Sequence, residues 1–162
     1  MDDQAKNEDK KTNSNGFSKG HLEQILEAGL FAVTAETSPP VSADPEILIK
    51  ATKDLLGVAD AVNVTDGAGA KSHMASLAAA AIMVRAGIEP VLQFTVRDRN
   101  RIALQNDLLG AAALGIPNIL CLTGDHVASG DQPEAKMVMD LDSCGLMELT
   151  RNMSVKGQLP SG

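Results

Sequence analysis

Asn118-Ile119-Leu120-Cys121-Leu122-Thr123-Gly124-Asp125 is a short apolar run that ends abruptly in residues able to hydrogen-bond or carry charge. The pattern recurs upstream at roughly even spacing, at Thr34-Ala35-Glu36, Asn63-Val64-Thr65-Asp66 and Gln93-Phe94-Thr95. Between these runs lie stretches of about three or four helical turns with apolar side chains at helical spacing. Strands alternating with such helices form βαβ units and a parallel sheet. Their C-terminal ends gather on one face, where enzymes of the (βα) barrel class build their sites. Four units are readable, and a closed eight-stranded barrel takes ~250 residues. The expected fold is therefore α/β, with about four of the eight (βα) units of a TIM-barrel type fold: a half-barrel or truncated barrel.

Working outward, a short helix from His21 to Ala28 precedes a first strand expected over Phe31–Glu36. Asp44-Pro45-Glu46 is a strong helix start. It combines a capping side chain, a proline whose missing N–H costs nothing there, and an acid facing the positive end of the helix dipole. Ile47, Leu48, Ala51, Leu55 and Leu56 make the expected buried stripe. Further strands are expected over Ala61–Thr65, Pro90–Val96 and Asn118–Leu122. Met74, Leu77, Ala78, Ala81, Ile82 and Arg85 mark the helix after the second strand. A helix from about Asn100 to Leu114 is expected to carry Ile102, Leu109, Ala112 and Ala113 on one side, and a last helix, about 143–153, aligns Leu146, Leu149 and Met153. Residues 1–20 are polar with acids and bases in balance, which predicts a disordered polar arm. The partial barrel domain then spans 21–162 and carries the whole net charge of -7.

With 44% hydrophobic residues the chain has material for one core. Its net charge of -7 and pI near 4.8 argue against nucleic acid as a partner, because binders of a phosphate backbone carry basic faces. No apolar run approaches the ~20 residues of a membrane span, and the N-terminus lacks the apolar core of a secretory signal. A cytoplasmic protein without a membrane partner is expected. Cys121 and Cys144 show neither metal nor disulfide spacing, and His21, His73 and His126 share no ligand spacing, so no metal is expected. Phe17, Phe31 and Phe94 are the only aromatic residues. A site that stacks a flat cofactor must use aliphatic walls, Phe94, or groups from outside this chain.

Ala35-Glu36 ahead of Pro39-Pro40, Gln93-Phe94-Thr95 and the run 118–125, in this order and spacing, resemble the N-terminal half of the methylenetetrahydrofolate reductase family. The resemblance covers roughly residues 28–153. It implies a flavin-dependent (βα)8 oxidoreductase of one-carbon metabolism. Such an enzyme reduces 5,10-methylenetetrahydrofolate to 5-methyltetrahydrofolate for methionine synthesis, with NAD(P)H or another donor reloading FAD. It also implies that Glu36 protonates the folate nitrogen that leaves when the five-membered ring opens. An amine leaves poorly until protonated, and an acid held against it contributes ~100- to 10,000-fold. Asp125 matches the family's aspartate near flavin and pterin, where a carboxylate favours a developing iminium cation.

Thr65, Thr95 and Asp98 also match family positions, while Asp66, Gln93 and Thr123 stand where Tyr, His and Arg are usual. With Gly124, these seven residues form the cofactor-binding set that the resemblance implies. The implied partners are a folate substrate and either a second copy of the chain or a missing barrel half. The runner-up reading is a flavin-free folate-binding or accessory half-barrel subunit, or an inactive fragment. Finally, Arg97, Arg99 and Arg101 crowd a helix N-terminus, where cations oppose the macrodipole. Either an anionic group such as a flavin or nucleotide phosphate compensates them, or they pair with Asp98, Asp107 or neighbouring acids.

Overall fold

The structure is a computed structural model that describes residues 19–160. Residues 1–18 of the expected arm lie outside the described residues. Four strands, β1 (Thr34–Thr37), β2 (Ala61–Val64), β3 (Pro90–Thr95) and β4 (Asn118–Leu122), form one parallel sheet in the order β1-β2-β3-β4. Helices alternate with them: α1 (His21–Glu27), α2 (Pro45–Thr52), α3 (Ser76–Arg85), α4 (Arg101–Ala113) and α5 (Ser143–Lys156). Sequential strand order with a helix in each crossover is the arrangement of consecutive (βα) units, consistent with part of a barrel. Among the described residues no helix is long and apolar enough to cross a membrane.

Alternation along the strands divides the sheet. Val62, Val64, Leu92 and Phe94 point toward the helices and are buried. Leu92, Phe94 and Val96 pack with Leu104, Leu108, Ala111, Leu146 and Leu149 of α4 and α5, and Val62 and Val64 pack with Leu48, Ala79 and Met83 of α2 and α3. The other face carries Glu36, Asn63, Val91, Gln93, Leu120 and Leu122, and none of these is fully buried. Leu120 is 41% exposed there.

Several expected details change. Strand β1 begins at Thr34, not Phe31, and Phe31 is 91% exposed. The reason is local: the Asp60 carboxylate accepts the Val33 N–H at 2.8 Å, which takes that donor out of the ladder. In α2 the cap holds as read, with Asp44 accepting from the Glu46 N–H, but Ile47, Ala51 and Leu56 are exposed. Thr52 is buried instead, its hydroxyl satisfied by the Leu48 carbonyl at 2.9 Å. Helix α4 is rotated from the expected phase. It buries Leu104, Leu108 and Ala111, whereas Ile102 and Leu109 are 65% and 52% exposed. The segment carries two apolar stripes, so periodicity alone does not decide which one meets β3 and β4.

Candidate active site

The C-terminal strand ends and the loops that follow them build a polar mouth. At the end of β1, Glu36 lies on the open face with its carboxyl exposed, and Gln93 Nε2 donates to Glu36 Oε2 at 2.9 Å. Asn63, between them on β2, turns its amide to the Ala35 carbonyl at 3.1 Å. Just beyond β2, the Thr65 hydroxyl donates to Ser38 Oγ at 3.0 Å. Ser38 is a mouth residue that sequence reasoning missed. The signal was available, because Ser38 lies two residues beyond Glu36 and so shares its face of an extended chain.

A second group lies deeper. Asp66, whose side chain is 9% exposed, accepts from Thr95 N at 2.9 Å, Thr95 Oγ1 at 3.0 Å and Ser76 Oγ at 2.9 Å. Arg99 grips the same carboxylate with both terminal nitrogens, at 2.6 and 3.2 Å. Its Nε goes to Asp107 at 3.0 Å, and the guanidinium lies 4.8 Å from the centre of the Phe94 ring. Burial alone would raise the Asp66 carboxyl, but the hydrogen bonds and charge of Arg99, with donors from Thr95 and Ser76, bring it below the usual carboxylate range. Among the described residues, no buried side-chain polar atom lacks a partner.

A third group surrounds Asp125. Its Oδ2 accepts the Gly69 N–H at 2.7 Å, and Asp131 accepts the Ser72 N–H at 3.1 Å, so the loop after β4 is fastened to the loop after β2. Arg97, 6% exposed, lies beneath this junction and donates to the carbonyls of Gly67 and Asp125. Its other nitrogens hold Asp98 at 2.9 and 2.7 Å. Gly124 has φ +91°, and a Cβ there would come within 3.1 Å of both Arg97 and Thr95 side chains, so no other residue fits this turn without displacing them. Thr123 precedes it just beyond the end of β4. His126 caps the short turn that follows, accepting the Ala128 N–H at 3.1 Å.

The expected site residues thus fall into three sets. Glu36 and Gln93 meet directly, Asp66 and Thr95 meet directly, and Asp98 reaches Asp125 through Arg97. In the structure each arginine of the cluster faces a carboxylate. Arg97, Arg99 and Arg101 each hold a carboxylate with two nitrogens, from Asp98, Asp66 and Asp140 respectively. Hydrogen bonds from Arg101 hold the Asp140 carboxyl at about 2. Toward a flavin the arrangement divides. The open face offers an amide, hydroxyls and a glycine turn to a flat ring with hydrogen-bonding edges, but none of the three guanidiniums is left unpaired for a diphosphate. Among the described residues no cluster of His, Cys, Asp or Glu is placed to hold a metal ion.

A model of the methylenetetrahydrofolate reductase family matches residues 21–155, most of the chain. No curated protein sequence matches it.

Proposed function

Since the chain belongs to the methylenetetrahydrofolate reductase family, whose members are folate-linked oxidoreductases, we propose that its polar mouth takes part in reducing 5,10-methylenetetrahydrofolate to 5-methyltetrahydrofolate. The observation that carries this reading is the exposed Glu36 carboxyl at the end of β1, on the open face and hydrogen-bonded to Gln93.

The reaction needs a proton on the folate nitrogen that departs when the ring opens. Glu36 supplies it from the protonated state, and an exposed carboxyl at a strand end is sterically free to do so. The iminium cation left on the substrate is favoured by a nearby carboxylate. Asp125 suits that task because Gly69 fixes one of its oxygens and leaves the other for the ligand. A flavin, when bound, would supply the hydride. Thr65, Gln93, Thr123 and Gly124 would line its ring, with Asp66, Thr95 and Asp98 bracing them from behind. FAD diphosphate would take its cations from outside the Arg97–Arg101 segment, because those are committed to carboxylates. NAD(P)H is the proposed donor. The reading places the enzyme in the cytoplasm, as part of a closed barrel whose remaining strands come from further chain or from a second copy.

The test is direct. The purified chain, alone and with a complementing barrel half, is titrated with FAD and followed by flavin absorbance, then given reduced donor and 5,10-methylenetetrahydrofolate. Formation of 5-methyltetrahydrofolate is expected. No flavin perturbation and no folate-dependent oxidation, even in the complemented sample, would sink the reductase reading and leave the flavin-free folate-binding subunit in its place.

A further inference from the structure

We infer that Gln93 is the positioning residue for Glu36, an amide that serves the acid in both of its protonation states. The inference deepens the proposed function and rests on it only for the use to which the Glu36 proton is put.

Strands β1 and β3 are not neighbours. With strands about 4.8 Å apart, roughly 10 Å separates their backbones, and only two long side chains on the same face can close that gap. Glu36 and Gln93 do so, at 2.9 Å. Asn63 leaves the path clear by folding its amide onto the β1 backbone. The register places Asn63 and then Val91 level with Glu36, so Gln93 reaches it diagonally from one step further along β3. This contact fixes where the Glu36 carboxyl points, on a face where apolar packing does not.

The choice of an amide has a chemical consequence. A carboxylate only accepts hydrogen bonds, whereas a carboxylic acid also donates one. The Gln93 amide carries both N–H donors and a carbonyl acceptor, so a half-turn of its terminal torsion pairs it with either form. The bond to the carboxylate is the stronger, because it is charge-assisted. A fixed cation in this place would hold Glu36 ionised and empty it of the proton it must donate. The register places uncharged residues beside Glu36 on the open face: Thr34 and Ser38 on its own segment, Asn63 on β2, and Val91 and Gln93 on β3. The charged groups of the mouth are engaged elsewhere, Asp66 with Arg99 and Asp125 with the Gly69 N–H.

The experiment is side-chain NMR at a single pH on the full chain and its Gln93→Leu and Gln93→Asn variants, following the carboxyl carbon-13 and γ-methylene resonances of Glu36, with Glu36→Gln used to assign them and circular dichroism to confirm folding. Both variants lack a group that can span β3 to β1, and both are expected to average the two inequivalent γ-methylene proton shifts of Glu36 and to move its carboxyl resonance toward that of a free glutamate side chain. Glu36 resonances unchanged in both folded variants would overturn the inference. The measurement requires no reductase activity, so resonances that change as stated in a chain that reduces no folate would uphold the pairing and reject only the reductase reading.

Discussion

The two faces of the sheet are built from the same strands and held by different forces. Toward the helices, Val64, Leu92 and Phe94 are buried to 1% exposure or less and are fixed by packing. Toward the mouth, Glu36, Asn63 and Gln93 remain accessible and are fixed by hydrogen bonds to side chains or backbone. Packing is collective and tolerates little change of volume. Hydrogen bonds on an open face are individually worth about 0.5–1.5 kcal/mol. The helix face, together with the nearly buried Asp66–Arg99 pair, therefore sets stability, and the open face around Glu36 and Gln93 is free to carry chemistry at little cost to the fold.

Replacements can break that division if it is false. The largest stability effect is expected for Phe94→Ala, which empties a fully buried site in the core and removes the ring beneath Arg99. A loss of about 3–5 kcal/mol is expected in denaturant unfolding. Asp66→Asn is next. It leaves the Arg99 guanidinium, 16% exposed, with Asp107 as its remaining carboxylate, and a loss of about 3 kcal/mol is expected. The native pair also predicts an acid limb. Because the folded Asp66 carboxyl lies below its ordinary value, its contribution is present above about pH 4 and is lost as pH falls through the folded value. Asp66→Asn should flatten that limb in unfolding curves measured from pH 6 to pH 2. Smaller still is Asp44→Ala, which removes the α2 cap at an expected cost of about 1 kcal/mol by thermal melting. A Phe94→Ala change as mild as the cap mutation would mean that the helix face is not what holds the sheet.

How much of this was legible depends on whether the deciding contact is local. Strand β4 and the α2 start read correctly because alternation, turn residues and caps act within a few positions. The inward phase of α4 did not, because Leu104, Leu108 and Ala111 are chosen over Ile102 and Leu109 by what α5 and β3 present to them. In the candidate site, Glu36 and Asp125 are suggested by motif resemblance, and the structure puts both on segments at the C-terminal ends of the strands. Their partners were hidden. Gln93 reaches Glu36 across 57 residues of chain, and the Gly69 N–H reaches Asp125 across 56. The Arg97–Arg101 cluster was legible as needing compensation, but which carboxylate each arginine faces, Asp98, Asp66 or Asp140, is visible only in the structure.

The central claim is that the mouth carries the acid of folate reduction and the core does not depend on it. It is tested most directly by Glu36→Gln in the assembled reductase, with the flavin-reducing and folate-reducing half-reactions measured separately and stability measured alongside. The account predicts that folate reduction is abolished while flavin reduction persists and stability stays within about 0.5 kcal/mol. Equal loss of both half-reactions, or full folate reduction by the variant, would contradict it.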